Sequence, residues 1–173
     1  MEALTLFLTM ALPAGLVLFA MYLVVKSFLT KEFEKKLVEV RLKNKELILP
    51  ARMQAYERVC LLLERISPNN LVLRVNDPSM TAGELHQRLL IEIREEFNHN
   101  LSQQVYMSDQ SWDLVKQAVQ DVTTIVNRGA EHVAGDARGV ELAKAIFEDL
   151  IQQNQDPMRN ALTFVKNEIR QLY

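Results

Sequence analysis

From Leu4 to Val25 the chain reads LTLFLTMALPAGLVLFAMYLVV, twenty-two residues without a charge. At about 1.5 Å per residue a helix of this length spans roughly 33 Å, enough for a bilayer core of about 30 Å. Pro13 and Gly15 fall near its middle, where a membrane helix tolerates both because neighbours or water re-satisfy the freed backbone. Tyr22 stands near one end, at an interfacial depth. A cleaved signal peptide begins with a basic stretch and carries only about 7–15 apolar residues. Here the leading residues are MEA, the apolar run is longer, and the positive charges Lys26, Lys31, Lys35 and Lys36 come after it. The expectation is a retained transmembrane helix over 4–25, preceded by a short external segment over 1–3.

The charge distribution sets the expected orientation. Residues 26–52 carry eight Lys or Arg against four Glu, a net of +4, and residues 53–173 carry twelve basic against seventeen acidic, a net of −5. With Glu2 the sum is −2. Basic residues flanking a membrane helix stay in the cytoplasm, so the N-terminus is expected outside and the body inside. Anionic lipid headgroups favour the same lysines. A nucleic-acid binder concentrates its basic surface on the folded body, and this body is acidic, so no nucleic-acid partner is expected.

The remaining sequence predicts an all-α protein. Gly and Pro number five each, and aliphatic residues, Glu, Gln and Lys dominate over Thr and aromatics. Residues 26–49 read as a basic juxtamembrane helix in which Phe33, Leu37, Val40, Asn44 and Leu47 are spaced four, three, four and three apart. This is a short heptad seam with an asparagine at an a-type position, which allows a parallel dimer stalk or a single helix laid on its own domain. Pro50 is expected to break or kink the helix, and the helical domain is expected over 50–173. Residues 51–66 resume the helix with Met53, Tyr56, Cys60 and Leu63 on one face. The apolar, partly β-branched LVLRV at 71–75 reads as a packed connector, since one isolated strand makes no sheet.

Thr81 to Glu84 is a capping box, followed by Leu85, Leu89, Ile93, Phe97 and Leu101 in steps of four on a helix expected to reach about Val105. Ser108 is an N-cap candidate for a helix with Trp112, Val115, Val119, Val122 and Val126 inward. Residues 129–139 read as the loosest linker, with Asp136 capping a helix that contains Leu142, Ile146, Phe147 and Leu150. Asp156 as cap and Pro157 at the first helical position open a last helix with Met158, Leu162, Val165, Ile169 and Leu172 on one stripe. The expected architecture is one transmembrane helix followed by a cytosolic bundle of about five to six helices, with short loops favouring antiparallel neighbours.

The densest functional-looking stretch is EEFNHNLSQQVYMSDQSW, Glu95 to Trp112. Glu96 and His99 form one E-x-x-H, the spacing that supplies half of a di-iron site in a four-helix bundle. The second E-x-x-H that such a site needs is missing, because neither His86 nor His132 is preceded by Glu at that spacing. Glu92, Glu95 and Glu96 read as a solvated face, continued by His99, Asn100, Gln103 and Gln104. Tyr106 reads as a half-buried aromatic, and Trp112 as the plug of a helix corner. No nucleophile elbow, P-loop, dinucleotide fingerprint or zincin motif occurs. The single cysteine, Cys60, permits no intramolecular disulfide and no thiolate zinc set, and its apolar neighbours mark a core thiol. No catalytic, cofactor-binding or metal-binding residue, no cofactor and no small-molecule substrate is therefore assigned.

The strings KELILPARMQAYERVCLLLERISPNNLVLRV, REEFNHNLSQQVYMSDQSW and VKNEIRQLY resemble an uncharacterised family of small bacterial single-pass membrane proteins with a helical cytosolic domain. The resemblance covers nearly the whole chain and is strongest over 45–75 and 94–112. It implies a bacterial plasma-membrane setting and carries over no catalytic residue. The function expected is a membrane-anchored, non-enzymatic interaction or scaffold module that binds a protein partner or itself. The alternatives are an obligate accessory subunit packed through Gly15 in a larger membrane complex, and a metal-carboxylate bundle enzyme using Glu96 and His99.

Overall fold

The computed structural model describes residues 2–153 and 156–171. They form six α-helices: α1 (Glu2–Ile66), α2 (Pro68–Val75), α3 (Ala82–Asn100), α4 (Asp109–Glu131), α5 (Gly139–Gln153) and α6 (Arg159–Arg170), with a 3-10 helix at Leu101–Tyr106. The chain divides between Ile48 and Leu49 into two units.

The first unit consists of the N-terminal part of α1. From Phe7 to Val25 its described large apolar side chains are all exposed to the surroundings, among them Leu16, Phe19 and Tyr22. This helix is long and apolar enough to cross a membrane. At its basic edge the Lys26 ammonium lies 6.0 Å from the centroid of the Tyr22 ring, and Thr30 Oγ1 donates to the Lys26 carbonyl at 2.9 Å. The seam residues Phe33, Leu37, Val40, Asn44 and Leu47 are likewise exposed. The helix does not break at Pro50 but continues through it to Ile66. Proline costs a helix interior one hydrogen bond and a steric clash. Here good helix formers precede it, and burial of the residues that follow favours continuing the helix.

The second unit is a bundle with α4 at its centre, against which α3, α5 and α6 pack, while α2 lies on α3 and α5. The α1 segment contributes Ala55, Tyr56, Val59, Leu62, Leu63 and Ile66 as buried side chains. That face is rotated from the expected one: Met53 is exposed and Cys60 only half-buried. The i, i+3, i+4 pattern through Val59, Leu62, Leu63 and Ile66 was the stronger stripe.

Residues 71–75 are helical, not a connector. Pro68 stands at the start of α2, where its missing N–H costs nothing, and Leu71 and Val72 are buried. One buried turn in a helix overrides the extended preference of its valines. The α3 capping box forms as expected, the Thr81 side chain accepting from the Glu84 amide and the Glu84 carboxylate from the Thr81 amide. Helix α3 ends at Asn100, however, and the 3-10 helix takes over before Val105.

The segment expected to be loosest is bound to the start of α3. Ala82 N donates to Ala137 O at 2.7 Å, Gly83 N to Gly135 O at 3.0 Å, and Gly139 N to Met80 O at 2.9 Å. Thr81 and Arg138 form an isolated antiparallel bridge. The first amides of a helix have no partner inside it, and here carbonyls of the distant loop supply one. Helix α6 begins two residues later than expected. The Asp156 carboxylate accepts from Met158 N at 3.2 Å in a turn, and Arg159 is the first helical residue. Met158 and Val165 are buried, Leu162 and Ile169 half-buried, and Leu172 lies outside the described residues.

Candidate functional site

The Glu95–Trp112 stretch is a helix corner. Asn100 closes α3 and is itself buried, its Nδ2 donating to Glu96 O at 2.9 Å. The 3-10 helix turns the chain, Met107 extends it, and Ser108 caps α4 by accepting from Ser111 N at 3.2 Å. Trp112 plugs the corner by stacking on Phe97, with ring centroids 5.7 Å apart and planes 19° from parallel.

The polar residues of the corner are more engaged than a solvated face would be. Glu96 accepts from Arg65 Nε at 2.8 Å. Glu92 accepts from Arg74 at 2.7 Å and from Arg88 at 2.7 Å, and the hydrogen bond from Arg74 in particular holds its carboxyl below the usual carboxylate range. Glu95 alone of the three is exposed, and Asn100 and Gln103, expected on the polar face, are buried. Arg58 Nη2 lies 3.0 Å from His99 Nε2. Glu96 and His99 thus each face a different arginine of α1, and the two do not converge. Among the described residues no three His, Cys, Asp or Glu side chains are grouped closely enough to hold a metal ion.

The most concentrated chemistry lies on the other side of the same corner, on residues whose spacing in the chain conceals it. Glu168 of α6 accepts from Tyr56 Oη at 2.7 Å and from Ser108 N at 3.0 Å on one oxygen, and from Ser108 Oγ at 3.0 Å on the other. Arg52 donates to Tyr56 Oη at 3.3 Å and, through Nε, to Tyr106 O at 3.2 Å. Burial alone would raise the Glu168 carboxyl, but these hydrogen bonds outweigh it and hold the group below the ordinary range. The buried Ser111 hydroxyl leans the same way, although its geometry falls short of a hydrogen bond. Burial, and then the Glu168 hydrogen bond, push the Tyr56 phenol up. At neutral pH the pair is therefore a phenol donating to a carboxylate. Three donors already occupy Glu168, so the arrangement is suited to clamping helices together, less to taking a proton from a substrate.

One signal that the sequence reading passed over could have singled out Glu168. An acid in the last turn of a helix opposes that helix's own dipole, so α6 gains nothing from carrying it there. It sits at the start of α4, where the dipole and a free amide favour it.

Two open depressions with polar residues at their rims lie on the second unit. One of about 400 Å³ is lined by Ala51, Gln54, Arg58, Gln103 and Tyr106. The other, of about 1200 Å³, is bordered by Glu64, Asp121, Asp156 and Arg159. Cys60 is half-buried, and burial raises its thiol above the ordinary value, opposite to the activation a nucleophile requires. No curated protein and no solved structure matches the chain. The model of a family of unknown function, DUF7935, matches residues 2–172, and the chain belongs to that family.

Proposed function

We propose that the protein is a membrane-anchored, non-enzymatic interaction module of a bacterial plasma membrane. On this reading residues 4–25 cross the bilayer, the N-terminus is outside, and the helical unit is in the cytoplasm, where it binds a protein partner. One observation carries it above the others: the apolar stretch of α1 has none of its described side chains buried, and a basic segment follows it directly. An uncovered apolar surface of this length is stable in lipid and costly in water. The polar groups at the corner support the non-enzymatic part, because Glu92, Glu96, Glu168 and Tyr56 are each committed to a partner within the chain.

The test is the full-length chain expressed in a bacterial host. It should remain in the membrane fraction through an alkaline carbonate wash. In a Cys60→Ser background, a cysteine placed at exposed Glu95 should react with a membrane-impermeant maleimide only after the cells are opened. Release by carbonate would sink the anchored reading, and labelling in intact cells would reverse the orientation.

A further inference from the structure

The exposed seam on α1 identifies the kind of partner. Leu29 and Ile48 extend the stripe of Phe33, Leu37, Val40, Asn44 and Leu47, and every one of these residues is exposed. In heptad terms Leu37 and Asn44 take a positions, and Phe33, Val40 and Leu47 take d positions. The flanking g positions are then Lys36 and Lys43, and the e positions are Glu34, Arg41 and Ile48. The acids Glu32, Glu39 and Glu46 lie further round the helix, away from the stripe, so the edges of the apolar face are mainly basic.

Three occupants can be compared. A second copy, parallel and in register, sets Lys36 of one helix against Arg41 of the other, and Lys43 against Ile48. Such a pairing contains a repulsive contact on each side and no attractive one. The antiparallel pairing is closed to two copies anchored in one membrane by the same segment. A lipid surface is out of reach. With the helix unbroken, Phe33 to Leu47 stand about 12 to 33 Å beyond Val25, whereas headgroups add only about 5–8 Å to each side of the hydrocarbon. A different helix with acidic flanks satisfies both the stripe and its edges.

We infer that this face docks an amphipathic helix of another protein, one carrying Glu or Asp on both sides of its own apolar seam. The inference rests on the membrane reading of residues 4–25. A polar residue opposite Asn44 would set the register of the pair.

The test uses the full-length chain in nanodiscs of neutral phosphatidylcholine and two fluorescent probe peptides. Both peptides carry a Leu/Val seam with Asn opposite Asn44. One has Glu at every e and g position and the other has Lys. By anisotropy at low salt the Glu probe should bind about tenfold or more tightly than the Lys probe. Added salt should shrink the gap. The triple variant K36E/R41E/K43E should invert the preference, and K31E/K35E, on the opposite face, should leave it unchanged. Equal binding of the two probes, or binding of neither, overturns the inference.

A second measurement does not depend on the triple variant. Val40→Cys in the Cys60→Ser chain should stay monomeric on oxidation, and an efficient disulfide dimer would show that the seam pairs with a second copy and overturn the heterotypic partner. A carbonate wash separates the two levels of failure. Chain lost from the membrane removes the anchored reading and this inference with it. Chain retained without Glu-probe preference removes only the partner assignment.

Discussion

Glu168 shows how one carboxylate joins three parts of the second unit. It takes a phenolic proton donor from α1 and both an amide and a hydroxyl from the start of α4, while belonging to α6. A hydrogen bond to a charged group contributes about 1.5–3 kcal/mol when partly shielded, so Tyr56→Phe should destabilise the bundle by roughly 1–2 kcal/mol in urea unfolding. The pH dependence follows from the direction of the Glu168 shift. A carboxyl held low in the folded state contributes stability that is present above its unfolded value, about 4.3, and is lost as pH falls through the folded value. Removing the Tyr56 donor raises the folded value, so acid unfolding of Tyr56→Phe, followed by circular dichroism, should begin at higher pH than in the parent. An unchanged acid midpoint would mean that Ser108 alone sets the carboxyl. Neither Tyr56 nor Glu168 drew attention as a site in the sequence, because 112 residues separate them; the only local mark is the place of Glu168 against the dipole of its own helix.

At the scale of elements, the features carried by neighbouring residues were legible and those decided at a distance were not. The Thr81–Glu84 capping box and the Ser108 cap are written within four residues of sequence, and both form. The Leu85, Leu89 and Ile93 stripe and the Trp112, Val115 and Val122 stripe are buried as their periodicity implies. Helix α2 was hidden because its run of four apolar residues and one arginine, Leu71–Val75, fits either a strand or a helix, and only burial of Leu71 and Val72 against α3 and α5 chooses between them. The corner at Glu95–Trp112 was legible as a corner, but its acids were not legible as arginine partners, since Arg65 and Arg74 come from earlier helices. Close packing of α4 on α5 adds a test at this scale. A Cβ at Gly129 would lie 2.7 Å from Ile146 Cγ1 and 3.3 Å from the Ile146 amide nitrogen. Gly129→Ala should therefore cost about 1–2 kcal/mol despite the better helix propensity of alanine, measured by thermal or urea unfolding. A stabilised variant would mean that α5 can shift away freely.

For the whole molecule, the division at Ile48 separates an exposed apolar helix from a unit with its own buried core. Residues 49–173 expressed alone should be soluble, helical by circular dichroism and cooperative in unfolding; a non-cooperative melt would show that the bundle depends on the preceding segment. The helical class could be read from composition and periodicity alone, whereas the tie between residues 135–139 and the start of α3 could not, because backbone amides and carbonyls leave no mark in a sequence. That tie has a consequence in time. The amides of a first helical turn ordinarily exchange with solvent almost as soon as the end frays. Ala82 and Gly83 donate instead to carbonyls 55 and 52 residues further along the chain, so their protons can leave only when the distant loop lifts. In deuterium exchange these two amides should be as slow as those of buried Val122 on α4, and far slower than the Asn70 amide at the start of α2. Were they to exchange as quickly as Asn70, the 135–139 loop would be opening by itself, many times for each opening of the bundle.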